Sequence, residues 1–251
     1  MKNFKSILAI LTISMSLIAC DDSSDSVKAS DAGASQATAQ LRAVHLSPDA
    51  PAVDIAVNNT KPLTGVTYRQ ASQFLDVATG KTNIRVLAAQ TDTAVIDANL
   101  NLQKNMKYTV IAANTLANIA PIVITDDNDA PSAGKAAITI VHGAPSAPAV
   151  DIYVTAPGAA LPVRSSATLR NVPFKAVSSE LELAAGHYQV RITPANSRSV
   201  VYDSGSIELI DGVEYIAIAA DDVDSSSLVG LTILTDLDDP AFVNVNNMMH
   251  K

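Results

Sequence analysis

The segment His45-Leu46-Ser47-Pro48-Asp49-Ala50-Pro51-Ala52-Val53-Asp54-Ile55 returns as His142-Gly143-Ala144-Pro145-Ser146-Ala147-Pro148-Ala149-Val150-Asp151-Ile152. Between residues 41–57 and 138–154, 10 of 17 positions are identical without a gap. A match at a fixed offset means that one supersecondary unit occurs twice, so the fold must be one that two copies can share. The chain of 251 residues is long enough for two domains of ordinary size.

Each copy reads as a series of short strands. In the first, at 41–135, Arg42 to Leu46 alternates and is broken by Pro48 and Pro51, which fix φ and remove backbone donors. Val53, Ile55 and Val57 then share a face, Asn58 to Pro62 turns, and further strand patterns fall at 73–77, 83–87, 94–102, 108–112 and 121–125. The second copy, at 136–240, repeats the order, with Gly186 matching Gly80, Arg191 matching Arg85 and Tyr215 matching Tyr108. Its spacing from motif to tyrosine is ten residues longer, and most of the extra length lies at 156–169, which reads as a loop. Leu-x-x-Gly-x-Tyr reads as a hairpin with glycine at a positive-φ turn. Turn residues every 8–12 positions imply an all-β protein of two tandem Ig-like/transthyretin-like β-sandwich domains. Apolar residues make up 48% of the chain but aromatics only 4%, with no Trp, so the core must be aliphatic.

The pattern Val-His-x-x-Pro-x-Ala-Pro-Ala-Val-Asp-Ile, followed by Leu-x-x-Ala-Gly-x-Tyr-x-Val-Arg, resembles the bacterial domain-of-unknown-function family numbered 4397. The resemblance covers about residues 41–236 in two copies. The first departs from the pattern at Thr79-Gly80-Lys81-Thr82. It implies a β-rich envelope protein and lends no catalytic residues.

The first 19 residues carry Lys2 and Lys5 ahead of a short apolar run, Ile7 to Ile18, interrupted by Thr12, Ser14 and Ser16. This has the form of a signal peptide and is too short for a membrane span. It ends Leu17-Ile18-Ala19-Cys20, which resembles a bacterial lipobox, with Cys20 as the thiol that takes the lipid. Cys20 is the only cysteine, so no internal disulfide can form. The expected partner is therefore the membrane, reached through acyl chains. The expected place is the cell envelope, on the periplasmic face of the inner membrane or at the outer membrane. Residues 20–40 are mostly small and polar and read as a flexible tether, and 241–251 as a frayed tail.

Formal charge is −8; loss of Lys2 and Lys5 with the leader takes away two positive charges and leaves −10. Such an acidic balance argues against nucleic acid, whose phosphates need Lys and Arg. A protein or glycan partner is compatible with it.

His45 with Asp54, and His142 with Asp151, recur nine residues apart. If the proline-broken turn closes a hairpin, each pair meets as a metal pair or as a base with its orienting acid, the arrangement a hydrolase needs. The architectural reading makes His45, Pro48, Pro51, Asp54, His142, Pro145, Pro148 and Asp151 a structural corner. In that reading each ring satisfies a turn carbonyl or the Asp, and each Asp bonds free turn amides. Asp126-Asp127-Asn128-Asp129, Asp221-Asp222-Val223-Asp224 and Asp236-Leu237-Asp238-Asp239 offer hard oxygens for Ca²⁺ without the Gly and distal Glu of an EF-hand. This makes a divalent-cation-dependent module the alternative to a non-catalytic one. No nucleophile elbow, zinc helix, phosphate loop or dinucleotide fingerprint occurs. The residues therefore imply no catalytic set, no metal site and no cofactor.

Overall fold

A computed structural model describes residues 37–223, 228–236 and the backbone of 243–244. Cys20, the leader and most of the tether lie outside these residues. The first unit contains β1 (Thr38–Leu46), β2 (Val53–Val57), β3 (Thr60–Val66), β4 (Leu75–Ala78), β5 (Gly80–Ala88), β6 (Ala94–Leu102), β7 (Lys107–Ala113) and β8 (Ala120–Asp126). The second contains β9 (Lys135–His142), β10 (Val150–Thr155), β11 (Leu169–Val172), β12 (Leu181–Ala184), β13 (Gly186–Pro194), β14 (Tyr202–Leu209), β15 (Glu214–Asp221) and β16 (Val229–Thr235). A short β17 (Val243–Asn244) adds to the edge of β16. No helix among the described residues is long and apolar enough to cross a membrane.

The protein is all-β, as two tandem β-sandwiches. In the first, one sheet runs β4-β1-β7-β8 and the other β3-β2-β5-β6; in the second the orders are β12-β9-β15-β16-β17 and β11-β10-β13-β14. The eight strands of each unit therefore connect identically. In the immunoglobulin alternative the first two strands share a sheet. Here β1 and β2 lie in opposite sheets and β1 pairs in parallel with β7, which is the transthyretin-like arrangement.

This topology corrects two local expectations. The proline-broken segment between β1 and β2 is a corner joining two sheets, not a hairpin. Gly80 and Gly186, at φ 105° and 144°, also sit at sheet-to-sheet corners. β4 pairs with β1 whereas β5 pairs with β2 and β6. Period-2 alternation identifies a strand but not the sheet it joins. Two boundaries also move. Thr38 to Gln40, assigned to the tether, belong to β1, because the main chain of β4 and β7 captures an extended segment whatever its side chains. Within 241–251, Val243 and Asn244 pair with β16; the remainder lies outside the described residues. β3 and β11 fall where turn or loop residues had hidden a strand.

Each sandwich has its own aliphatic core, with Leu41, Ile55, Val86 and Val110 in the first and Ile138, Ile152, Ile192 and Leu231 in the second. A third cluster joins the units: Val44, Leu46, Ile111, Ile122 and Ile124 pack with Val141, Ile216, Ile218 and Leu234. The sheets containing β1 and β9 thus bury both faces. That explains why β15 is buried along its entire length and β7 at every residue but its first, the continuous apolar pattern expected of doubly covered strands.

Candidate functional site

The two motif histidines are fully buried. His45 Nε2 lies 3.0 Å from the Pro51 carbonyl and its Nδ1 accepts the Ser47 amide at 3.2 Å. His142 repeats this with Pro148 at 3.0 Å and the Ala144 amide at 3.4 Å. An amide can only donate and a carbonyl can only accept, so each ring is neutral with its proton on Nε2. Burial holds both below the usual histidine range. The backbone of each histidine is also tied to the crossing that follows β3 or β11. The His45 amide donates to Gln70 and its carbonyl accepts from Arg69; His142 does the same with Ala176 and Lys175. Tyr68 and Phe174 stand edge-on to the two rings. Each imidazole thus clamps a β-strand, a proline turn and a crossing, and both its nitrogens are occupied.

The aspartates face elsewhere. Asp54 and Asp151 lie in the sheets opposite to the histidines, and no hydrogen bond among the described residues joins His45 to Asp54 or His142 to Asp151. Their partners are also not amides of the proline turn. Asp54 accepts the amides of Gly65 at 2.9 Å and Gln90 at 3.2 Å, fixing the β3 bulge and the β5–β6 turn. Asp151 accepts the Asn171 amide at 2.7 Å and Arg164 Nε at 2.6 Å. Burial works to raise the Asp151 carboxyl, but these donors outweigh it and leave it below the usual carboxylate range. The prolines do what their chemistry dictates: Pro51 and Pro148 supply the carbonyls, while Pro48 and Pro145 begin the turn in which no amide is required.

The aspartate-rich turns are used internally. Asp126 and Asp127 accept the amides of Asn128 and Asp129, and Asp221 accepts the Ser146 hydroxyl at 2.6 Å. Among the described residues no group of three or more His, Cys, Asp or Glu side chains is placed to hold a metal. Asp224 and residues 237–239 lie outside them.

A concavity of about 450 Å³ opens where the two sandwiches meet. Its floor is charged. Lys107 Nζ is 3.0 Å from Glu214 and 3.6 Å from Asp236. Arg42 donates to the Thr109 hydroxyl at 2.8 Å and to the Thr235 carbonyl at 2.7 Å, and its guanidinium lies 4.5 Å from the centre of the Phe74 ring. Burial raises Glu214 to about 7, against the pull of Lys107, and lowers Arg42 to about 10. Glu180, at the rim, is raised by burial and by Asp126 and Asp127. Among these residues the aspartates of the turns carry a signal in the sequence, and so do Lys107 and Glu214: each immediately precedes the tyrosine of its copy, and they carry opposite charge.

No curated protein matches the chain. Among solved structures, one described as "Alpha-glucan binding by a streptococcal virulence factor" is 9% identical, with 81% of this chain and 98% of that chain covered at a TM-score of 0.27. Residues 39–153 match the model of the family described as Domain of unknown function (DUF4397). The matched stretch runs from β1 into β10 and contains both copies of the histidine–proline corner, and it supports that family for the first sandwich of this chain.

Proposed function

We propose that the protein is a lipid-anchored, exported module of the bacterial envelope that binds a hydrophilic partner, glycan or protein, without catalysis. The observation that carries this reading is the cleft between the sandwiches. Its volume falls within the range of small-ligand sites, about 300–1,000 Å³, and both units contribute to its floor. Charges of both signs beside the Phe74 ring suit a ligand with hydroxyls or amides and an apolar face. The corner histidines support a non-catalytic role, because their nitrogens are spent on the backbone. The signal-like leader ending at Cys20 supports the anchor. The second sandwich is read as a second copy of the family domain, on the strength of its identical strand connections and the repeated motif.

Binding is tested by titrating the purified protein with oligosaccharides and envelope extracts, followed by NMR. Chemical-shift changes centred on Arg42, Phe74 and Glu180, lost in Phe74→Ala, support the cleft. Binding that is indifferent to Arg42→Ala and Phe74→Ala refutes it. Metabolic labelling with an alkynyl fatty acid tests the anchor: label on the wild type and none on Cys20→Ser is expected, and equal labelling removes the anchor from the reading.

A further inference from the structure

The outer face of the β11-β10-β13-β14 sheet carries a buried polar patch that the first sandwich lacks. Val150, Ile152, Val190 and Ile192 point into the core, so Asp151, Tyr153, Arg191 and Thr193 share the opposite face. Asp151 stands directly across from Thr193, and Tyr153 across from Arg191. Such pairs and their diagonals lie within about 5–8 Å of one another. At the matching places the first copy has Asp54 across from Leu87 and Ala56 across from Arg85. The second copy thus exchanges an apolar pair for two hydroxyls.

The same copy holds the longer connection. Residues 156–168 join β10 to β11 where two residues join β2 to β3. This strap is pinned along its length, at one point to Asp151 of the patch. The Gly158 amide donates to Gln189 at 2.8 Å, Arg164 to Asp151 at 2.6 Å, and Arg198 to the carbonyls of Leu161 and Pro162 at 3.0 and 2.9 Å. None of its side chains is fully buried. It is held mainly by polar contacts, as are segments that open locally before the core does.

Beneath it, Tyr153 and Thr193 are 0% exposed and Arg191 7%. Tyr153 Oη, Thr193 Oγ1 and Arg191 Nε have no hydrogen-bond partner among the described residues. Arg191 Nη2 donates to Thr155 at 2.9 Å, and among the described residues no carboxylate lies within ion-pair distance of it. The nearby carboxylates are engaged: Asp151 by Arg164 and Asn171, Asp203 by the Gln189 amide at 2.6 and 2.9 Å and the Gly205 amide. Buried guanidinium groups are ordinarily paired, and buried hydroxyls ordinarily bonded. Three buried donors on one face without an acceptor, one of them cationic, define what would satisfy them.

We propose that this strapped face binds a small oxyanion, a carboxylate- or phosphate-type group, held by Arg191 Nε–H and the hydroxyls of Tyr153 and Thr193. Residues 156–168 are the cover that admits and encloses it. The site is separate from the cleft between the sandwiches and stands or falls independently of it.

The test is thermal unfolding of the full chain in sodium phosphate and in sodium acetate, each against sodium chloride of matched ionic strength. A rise in Tm of a few degrees over chloride is expected with one or both. Phosphate alone identifies a phosphate-type ligand, and acetate alone a carboxylate. The rise should vanish in Arg191→Met and shrink in Tyr153→Phe and Thr193→Val, which keep the packing if the arginine variant fails to fold. Crystals grown in the effective anion should show it within hydrogen-bond distance of Arg191 Nε. No rise with either anion, a rise undiminished in Tyr153→Phe and Thr193→Val, or ordered waters alone at the three atoms overturns the proposal.

Discussion

Lys107 Nζ lies 3.0 Å from Glu214 Oε2, and the two residues hold the same place in their repeats, one before the tyrosine of β7 and one before that of β15. Leu46 and Gly143 are related in the same way. They follow the two motif histidines, and a methyl group added at Gly143 would stand 3.2 Å from Leu46 Cδ1. Equivalent residues that touch each other lie where a local two-fold axis passes, as in an isologous dimer. In a true dimer Lys would meet Lys and Leu would meet Leu. Duplication within one chain lets each position diverge, to opposite charges in one case and to large against small in the other.

The ion pair should therefore be exchangeable. Both side chains are nearly nine-tenths buried. Lys107→Glu gathers three carboxylates with Asp236 and should destabilise by about 3 kcal/mol, as for a broken buried pair. Adding Glu214→Lys should restore most of that loss. Urea denaturation of the four proteins at pH 8, where Glu214 is ionised, measures it; no recovery in the double variant would show that the charges act independently.

Leu46 and Gly143 should couple sterically. Gly143→Ala also meets Ile218 Cγ2 at 3.1 Å, so over-packing should cost about 1–3 kcal/mol. Leu46→Ala should cost about 2–5 kcal/mol by leaving a cavity. The double variant should be less damaged than the sum, with a coupling of about 0.5–3 kcal/mol, read from the same denaturation curves.

Glu214 and the corner histidines should drive stability in opposite directions with pH. The Glu214 carboxyl is raised from 4.5 to about 7, so its contribution is full below pH 4.5 and is lost as pH rises toward 7. His45 and His142 are lowered from 6.5 by burial. Their contribution is full above 6.5 and is lost as pH falls, because the charged ring must be buried or exposed by unfolding. Glu214→Gln should flatten the fall between pH 4.5 and 7 and leave acid destabilisation in place. Denaturation midpoints across that range check both signs.

Gly80 and Gly186 should be intolerant for a conformational reason alone. No atom lies within 4 Å of a Cβ placed at either, yet their φ values of 105° and 144° are closed to L-residues. Gly80→Ala and Gly186→Ala should each cost about 1–3 kcal/mol. Gly143→Ala, where φ is ordinary, should instead respond to its neighbours. Equal tolerance of alanine at Gly80 and at an exposed loop position would contradict this.

The amino-acid order determined what is local or repeated. The gapless duplication, the alternation of Val53, Ile55 and Val57, and turn residues at regular intervals specify strands and their number of copies, because side-chain period and proline geometry act within a few residues. Tertiary structure alone decided which sheet each strand joins, and with it every relationship across the sandwich. Asp54 is nine residues from His45 in sequence, but a corner sends it to the opposite sheet, where its acceptors meet amides 11 and 36 residues away. Lys107 and Glu214 hold matching places in the repeats, but their meeting with Arg42 in a cleft, and that of Tyr153, Arg191 and Thr193 in a polar patch, was decided by the tertiary structure alone. A charge in a strand reads as solvent-facing until it is known what covers it, whether a sheet of the other sandwich, far away in sequence, or a neighbouring loop that folds back over the strand.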